Sequence, residues 1–460
     1  MLVPMPPQSA LFLLAETREH PMHVGSLQLF RPPDGATSRD VAELFDRALA
    51  STEVAPLFRK RARRSLTSLG QWGWEVDERF DLEHHVRKNA LPHPARVREL
   101  LALGSRLHSS LLDRHRPLWE MHLIEGLADG RFAIYFKAHH ALVDGVSALR
   151  VLGRMLSPDP NDLAMPPPWA PRPRRTRTPR ERDGSAPAVA LRQALSIAGD
   201  VAGLGPALVR SVGRGINDQG GTISFSAPRT MFNVPVTGAR RFAAQSWPIE
   251  RIKQVGKACD ATVNDVVLTM CSGALRSYLL AENALPDAPL IAMVPVSLHG
   301  DETGSADGGG NSVGAVMCNL GTHLGDPVER LETVHQSMID GKQAMHGMSQ
   351  LQMLAMSAVG ISPLAVYPLL RLDGKVRPPF NLVISNVPGP RSPMYWNGSR
   401  LDGLYPLSIV LDGQALNITV TSYSDEIAFG LIGCRRSVPH LQRLLTYLDD
   451  ELGALEAAVA

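Results

Sequence analysis

The segment Arg131–Gly145 reads RFAIYFKAHHALVDG. Its first part, Arg131–Ala138, is dense in apolar and aromatic side chains and is flanked by polar residues, which predicts a buried β-strand. Two histidines, His139 and His140, follow directly, where a strand-to-helix turn holds side chains on a rigid support. Histidine has the side-chain pKa nearest neutrality, so it can take up and return a proton at neutral pH. The segment therefore predicts an acid–base site at the end of a buried strand.

The residues beyond the histidines leave several interpretations open. Asp144 lies four residues after His140, and its carboxylate can either orient the imidazole or anchor the turn. Gly145 allows a backbone angle or a close approach that a Cβ atom would block. Two adjacent histidines near an aspartate can also be incidental, or can bind a metal ion. No HExxH pattern supports the metal interpretation, and the sequence lacks a P-loop and a GxGxxG turn.

The composition is that of an ordinary globular protein. The chain has 460 residues, of which 44% are hydrophobic and 20% charged, and its formal net charge is +2. This length predicts more than one domain. A nearly balanced charge with only 5% aromatic residues argues against a nucleic-acid binder. The cysteines form no CxxC pair, which is typical of buried thiols in a reducing compartment; they are Cys259, Cys271, Cys318 and Cys434.

The sequence predicts no segment that inserts into a membrane. The N-terminus has no basic region, and its apolar run Ala10–Ala15 is too short for the core of a signal peptide. Met353–Leu370 carries no charge, but Gly360, Pro363 and Pro368 would break a spanning helix. We therefore expect a soluble, cytoplasmic protein with an apolar surface that can contact lipid.

A segment rich in proline and arginine, Met165–Pro187, predicts the clearest boundary in the chain. Prolines remove backbone donors and like charges repel one another, so such a segment favours an exposed linker over a core element. The predicted division is residues 1–164, a linker at 165–187, and residues 188–460. The arginines of Arg172–Arg182 form either a solvated strap or a surface that attracts anionic lipid head groups.

Helical and strand patterns occur in both halves, which predicts an α/β fold. The predicted helices are Ser38–Ala50, Val97–Leu112, Gly145–Leu156, Ala188–Val212, Lys253–Cys259, Val263–Leu280 and Pro327–Gly341. The other predicted strands are Met22–Phe30, Leu290–Ser297, Phe380–Ser385, Ala415–Tyr423 and Glu426–Ile432.

Several blocks of the sequence resemble one family. The run His139–Gly145 fits the HHxxxDG motif of the bacterial wax ester synthase/diacylglycerol acyltransferase family, which belongs to the chloramphenicol acetyltransferase-like superfamily. Further blocks resemble this family in the same order, from Pro21 to near the C-terminus. They are Pro117-Leu118-Trp119, Asn264-Asp265, Val294–Leu298, Gly310-Asn311 and Ser385–Pro390.

The resemblance implies a fold and a reaction. The fold is two chloramphenicol acetyltransferase-like α/β domains joined by an exposed crossover, with the active site where the domains meet. Acyl-CoA and the acceptor alcohol enter a tunnel from opposite sides. His140 is the general base that removes the proton of the acceptor hydroxyl. The reaction requires no metal, no acyl-enzyme and no cofactor, because acyl-CoA is a substrate.

The resemblance also implies supporting roles. Asp144 holds the turn that carries His140, and His139 is the less essential histidine. Asn264 donates to the substrate or the oxyanion, or else it caps a helix beside Asp265. The other blocks pack near the acyl path or close the site wall with a fixed turn; they are Pro117, Leu118 and Trp119, and Asn386 to Pro390 with Gly389.

Three functions follow as alternatives. The first is synthesis of triacylglycerol from diacylglycerol, or of wax ester from a long-chain alcohol, by an enzyme attached peripherally to a membrane or lipid droplet. The second is acyl transfer by the same fold to a polyketide or glycolipid hydroxyl. The third is an inactive lipid-binding protein. The complete set of family blocks favours the first.

Overall fold

The structure is a computed structural model, and it describes residues 2–64, 70–143, 153–171, 227–297, 313–346 and 377–459. Several predicted features lie outside these residues. They are Asp144 and Gly145, the helix Ala188–Val212, the first eight residues of the helix Gly145–Leu156, the Gly310-Asn311 block, the arginines of Arg172–Arg182 and the apolar segment Met353–Leu370.

Strands and helices are mixed along the chain, and five strands follow one another near its C-terminal end. The strands are β1 (Val3–Pro4), β2 (His23–Arg31), β3 (Lys60–Arg64), β4 (Trp72–Val76), β5 (Val86–Ala90), β6 (Trp119–Glu125), β7 (Phe132–His139), β8 (Arg240–Pro248), β9 (Ile291–Ser297), β10 (Val313–Asn319), β11 (Leu382–Val387), β12 (Tyr395–Trp396), β13 (Ser399–Leu407), β14 (Leu416–Tyr423) and β15 (Glu426–Cys434). The helices are α1 (Pro7–Ala15), α2 (Ser38–Leu49), α3 (Leu82–His85), α4 (Val97–Ser109), α5 (Ile249–Ala258), α6 (Val263–Ala281), α7 (Pro327–His346) and α8 (Arg443–Val459), with a short 3-10 helix at Pro56–Arg59.

The first six-stranded sheet has β7 near its centre. Its order is β12-β13-β2-β7-β6-β5, and β7 runs antiparallel to both of its neighbours. All eight residues of β7 are buried, which confirms the predicted strand. Its side chains alternate between two cores: Phe132, Ile134 and Phe136 pack into one, and Ala133 and Tyr135 into the other. The strand that carries the histidines is therefore covered on both faces.

Two strands of this sheet come from the second half of the chain. β13 pairs antiparallel with β2 along its length, and β12 extends it as an edge hairpin. The sequence analysis did not predict β13, because Gly403 and Pro406 are residues typical of turns. The two halves are thus interlocked, while the division at 1–164, 165–187 and 188–460 stays a prediction.

The second six-stranded sheet has the order β10-β9-β11-β14-β15-β8. Each predicted strand of this half is present, with ends shifted by one or two residues. α6 is almost entirely buried, and α5, α7 and α8 pack around it. The mixed helix and sheet layers confirm the α/β fold class.

The described start of the predicted linker is packed rather than exposed. Trp169 is fully buried, and its indole Nε1 donates to the Ser51 carbonyl at 3.0 Å. Its own carbonyl accepts from the Ala55 amide at 2.8 Å. Prolines restrict the backbone, but they do not prevent a large neighbouring side chain from packing into a core. The exposed character predicted from Met165 onward therefore does not apply to residues 165–170, which are buried or partly buried.

Helix α4 joins the two halves by satisfying the edge of the second sheet. β8 is an edge strand, and such strands present unpaired backbone groups. The hydroxyl oxygens of Ser105 and Ser109, on α4, accept from the amides of Phe242 and Arg240, both at 2.9 Å. The spacing of four residues places both hydroxyls on one helix face.

The serine pair predicts a measurable link between the halves. We expect the variant Ser105→Ala/Ser109→Ala to be less stable by about 1–3 kcal/mol per site, because each change leaves a buried amide without an acceptor. Urea unfolding measures this. Ser110→Ala is the matched control, since its exposed hydroxyl bonds only within the helix. Equal midpoints for the double variant and the control would contradict the role of the serines.

Candidate active site

Backbone hydrogen bonds from both neighbouring strands hold the histidine pair. The His139 amide donates to the Leu118 carbonyl at 2.9 Å, and the His140 amide donates to the Met22 carbonyl at 2.8 Å. The chain then turns sharply, because the amides of Leu142 and Val143 both donate to the His139 carbonyl. The two imidazoles are therefore carried on a rigid strand end, as the sequence predicts.

The imidazole of His139 is fully buried, and one of its nitrogens accepts a backbone hydrogen bond. Its Nδ1 accepts from the Ala141 amide at 3.0 Å, so the neutral ring carries its proton on Nε2. Nε2 lies 3.4 Å from Oε2 of Glu16. This arrangement fixes the orientation of His139 and leaves it no exposed edge.

His140 is only partly buried, and an aromatic ring covers one of its faces. Phe12 stacks on the imidazole with ring centroids 4.1 Å apart and an interplanar angle of 20°. Stacking restrains the tilt of the ring while leaving its nitrogen-bearing edge to other contacts. Of the two histidines, His140 is the one that is partly exposed.

Phe12 and Glu16 are site residues that the sequence analysis missed. Phe12 lies in α1, and Glu16 is the residue that ends this helix. Their spacing of four residues puts them on one helix face, so that Phe12 meets His140 and Glu16 meets His139. The signal in the sequence is the helical spacing of four residues between Phe12 and Glu16 in the N-terminal run LFLLAE. It is weak, because α1 is short and the residues that it contacts lie far away in the sequence.

Glu16 is itself held by several donors. Arg114 donates to Oε1 at 2.9 Å and also binds the carbonyls of Leu13 and Glu16. The Met22 amide donates to Oε2 at 3.2 Å. Burial alone would raise the pKa of Glu16, but the contacts with His139 and Arg114 outweigh it, so the pKa lies below its ordinary value. Glu16 is therefore a buried carboxylate anion beside the histidine pair.

Two neutral histidines lie behind the pair. His23 is opposite His139 in the sheet, and its Nε2 donates to the His108 carbonyl at 2.9 Å. His108 donates from Nε2 to the Ser408 carbonyl at 3.0 Å, so its Nδ1 accepts from the Tyr135 hydroxyl at 2.9 Å. Burial lowers the pKa of His108 to about 3 and holds the pKa of His23 well below its usual range.

A buried lysine stabilises the same region. Lys137 is fully buried, and its Nζ donates to the carbonyls of Leu107 and Ser110 at the end of α4. A cation suits this position because the carboxyl end of a helix carries partial negative charge. Nζ also lies 3.2 Å from Oε2 of Glu120. Burial opposes ionisation of Glu120, but the contacts with His122 and Lys137 lower its pKa to about 2.

The Pro117-Leu118-Trp119 block supports the histidines from β6. Leu118 and Trp119 are fully buried, and the Leu118 carbonyl is the acceptor for the His139 amide. The indole of Trp119 donates to the Phe58 carbonyl at 2.8 Å. The block thus holds the strand end through its backbone, whereas packing beside an acyl chain stays a prediction.

Asn264 and Asp265 lie at the start of α6 and differ in role. Asp265 forms a capping box with Thr262, and its buried Oδ2 also lies 2.8 Å from Nδ1 of His335. Asp265 therefore has a structural role. Asn264, by contrast, contacts another predicted block: its Oδ1 accepts from Nδ2 of Asn386 at 3.4 Å. The structure thus brings two of the predicted site residues together.

The turn after β11 requires glycine at position 389. A Cβ atom there would lie 2.1 Å from the Ser422 carbonyl oxygen, and the Gly389 amide faces the Ser422 hydroxyl at 3.3 Å. The backbone amide of Ser424 donates to the Pro390 carbonyl at 2.9 Å. The predicted turn at Asn386–Pro390 therefore starts later than expected: Asn386 and Val387 are the last residues of β11 and pair with β14, and only residues 388–390 form the turn beside the end of β14.

Within the described residues, no group of three or more histidine, cysteine or acidic side chains is placed to hold a metal ion. Among the helices of that same part of the chain, none is long and apolar enough to cross a membrane.

Comparison with known structures first defines the fold. The starter condensation domain of rhizomide synthetase aligns with a TM-score of 0.56 over 100% of this chain and 94% of that domain, at 13% identity. At this identity the likeness concerns the fold alone. It agrees with the expected chloramphenicol acetyltransferase-like fold.

Closer relatives define the family. The wax ester synthase/diacylglycerol acyltransferase from Marinobacter aquaeolei VT8 aligns with a TM-score of 0.81 and 44% identity over 99% of both chains. A probable diacylglycerol O-acyltransferase of Mycobacterium tuberculosis is 53% identical over 457 residues, 99% of both proteins. The wax ester synthase/diacylglycerol acyltransferase catalytic domain matches residues 5–267, and the C-terminal domain of the same family matches residues 309–456. The chain belongs to this family.

The ion pair beneath His139 yields a stability prediction. We expect Glu16→Gln to lower the free energy of unfolding by about 1.5–3 kcal/mol, because the buried carboxylate loses its charge-assisted bond to Arg114. Thermal unfolding checks this, with Glu19→Gln on the exposed neighbouring position as the matched control. A Glu16→Gln melting temperature equal to that of the control would rule out a supporting role for the carboxylate.

The neutral histidines predict acid sensitivity. His108 has a folded pKa of about 3 against an ordinary 6.5, so between these values the unfolded chain binds a proton that the folded chain does not. Stability should therefore fall as pH decreases below 6.5, by up to about 1.4 kcal/mol per pH unit for this histidine. In urea titrations from pH 7 to 4.5, His108→Gln should have a shallower slope than the wild type. The slope of the control His115→Gln, at an exposed position, should be unchanged; identical slopes for all three proteins would disprove the assignment.

Proposed function

We propose that this protein transfers a long-chain fatty acyl group from acyl-CoA to the hydroxyl of diacylglycerol or of a long-chain alcohol, with His140 as the general base. Membership of the wax ester synthase/diacylglycerol acyltransferase family supports the reaction class. The observation that supports the base is the difference between the histidines: His139 is enclosed, whereas His140 is partly accessible beside Phe12.

The proposed reaction is direct transfer. The imidazole of His140 accepts the proton of the acceptor hydroxyl, and the oxygen attacks the thioester carbonyl carbon. The C–O bond forms, the tetrahedral oxyanion collapses, and the C–S bond breaks. The imidazolium then returns its proton to the CoA thiolate. A positioned base contributes roughly 10²–10⁴-fold, so positioning and oxyanion stabilisation supply the remainder.

Asn264 is a proposed donor to the oxyanion. It uses its side-chain carbonyl in the contact with Asn386, so its two amide hydrogens are the groups it can offer to a substrate oxygen. Asp144 and Gly145 are proposed to shape the turn after His140, with the aspartate in a structural role. The Gly389 turn is proposed to close the wall of the site.

The acceptors proposed here partition into lipid, so we place the enzyme in the cytoplasm, peripherally attached to a membrane or lipid inclusion. The arginines of Arg172–Arg182 are a proposed source of attraction to anionic head groups. The choice between diacylglycerol and alcohol depends on pocket walls, where one methylene changes the free energy by only about 1–3 kcal/mol.

The central test is His140→Ala. We expect it to fold normally and to lose acyl transfer by at least about 100-fold, because the substitution removes the positioned general base. The assay measures transfer of the labelled palmitoyl group from palmitoyl-CoA to diacylglycerol, hexadecanol or water, and it is monitored by the release of CoA. His139→Ala should lose less activity and more stability.

The matched control is His115→Ala, at an exposed histidine. A folded His140→Ala protein that keeps more than about a tenth of the wild-type rate would show that another group is the base. Wild-type protein that binds palmitoyl-CoA but releases no CoA with any acceptor would instead support the lipid-binding alternative.

A further inference from the structure

Exposed apolar side chains cluster near the N-terminus. Eight large apolar residues of the described chain are more than about a third exposed, and half of them lie on α1 and the small sheet beside it. These four are Val3, Leu11, Leu14 and Val76, with exposed fractions of 56%, 63%, 58% and 53%. Single exposed leucines are ordinary, but such a group on one structural unit marks a contact surface.

Helix α1 separates the histidine pair from this surface. Leu13 is buried in the cluster beneath the helix, and Phe12 stacks on His140. Leu11 and Leu14 are three residues apart and therefore share the outward face. The helix, with the sequence PQSALFLLA, contains no charged residue. One thin helix thus has a catalytic-site contact on its inner side and leucines on its outer side.

Basic and aromatic residues lie on the small sheet that shares a hydrophobic cluster with this helix. Leu13 of α1 shares one hydrophobic cluster with Ala62 and Trp74 of the three-stranded sheet β1-β4-β3. Lys60 and Arg64 are two residues from Ala62 on either side, so they lie on the same face of the sheet as Ala62, the residue that shares a cluster with α1. Both are exposed, and the Arg64 guanidinium lies 4.6 Å above the ring of Trp72.

We infer that α1 and this sheet face are the surface by which the protein docks on an anionic lipid membrane. Leu11 and Leu14 enter the boundary between head groups and acyl chains, and Lys60 and Arg64 contact the head-group phosphates. An uncharged helix bordered by basic and aromatic residues has the chemistry of an interfacial membrane anchor. The inference rests on the proposed function, which supplies the lipid-dissolved acceptor.

Docking by this surface has a direct consequence for the reaction. The membrane would lie against the outer side of the same helix whose inner side contacts His140. An acceptor alcohol dissolved in the bilayer then reaches the site past one helix thickness, without crossing bulk water. The position of the anchor and the position of the base are thus set by a single element.

The test is vesicle binding by the full-length variant Leu11→Ser/Leu14→Ser. Co-sedimentation with vesicles of phosphatidylcholine and phosphatidylglycerol should fall roughly ten-fold per leucine, because each substitution removes a buried apolar side chain from the lipid. The matched control is Leu163→Ser/Leu280→Ser, which alters two exposed leucines elsewhere and should bind like the wild type. Both pairs are exposed, so circular dichroism should show unchanged folding.

A second pair of variants tests how much the basic residues contribute to vesicle binding. Lys60→Gln/Arg64→Gln should reduce binding to the anionic vesicles and flatten its salt dependence, whereas Arg98→Gln/Arg435→Gln at exposed arginines outside the surface should not. Leu11→Ser/Leu14→Ser protein that sediments as the wild type does would overturn the inference. So would a wild-type dimer that the leucine variant converts to a monomer with unchanged vesicle binding.

These outcomes are separable from the proposed reaction. Transfer from a short acyl-CoA to a water-soluble alcohol should be the same in the leucine variant and the wild type. If the wild type has no transferase activity with any acceptor, the proposed function fails, and vesicle binding still decides whether the surface is an anchor.

Discussion

Two backbone hydrogen bonds at the end of the central strand are the constraint on which the site depends. One runs from His139 to the Leu118 carbonyl on one side, and the other from His140 to the Met22 carbonyl on the other. Consecutive residues of a strand bond in opposite directions, so the two histidines are each held by a different neighbour. Their side chains consequently point to different environments, one enclosed and one partly open. Identical residue types in adjacent positions acquire different chemistry from this geometry alone.

Helix α4 connects this strand end to the rest of the molecule through hydrogen bonds to both sheets. The last carbonyls of a helix have no partners within it, and here they accept from Lys137 and His23 of the first sheet. One turn away, the serine hydroxyls satisfy the edge of the second sheet. The histidine pair, the buried charges and both sheets are thus connected through one helix. Buried polar groups cost free energy unless they are paired, so these contacts have only one satisfactory arrangement.

The sequence predicted those helices and strands that depend on local sequence pattern. The strand before the histidines and the helices α2 and α6 follow from periodicity, and all are present. Prediction failed where the deciding partner is distant. β13 contains turn residues and becomes a strand only by pairing with β2, while Glu16 gains its role from Arg114 and His139, about a hundred residues away. Trp169 is buried within a proline-rich segment for the same reason.

The contribution of β13 from the second half of the chain to the first sheet has a consequence for the synthesis of the protein. β2 is complete within the first 31 residues, but the strand that covers its open edge ends at Leu407. At roughly 5–20 residues per second, translation separates these two events by tens of seconds. During this interval the first sheet presents an unpaired strand edge, the kind of surface that recruits other chains and promotes aggregation. The nascent protein is therefore a natural client for chaperones that shield strand edges until nearly the whole chain has emerged from the ribosome.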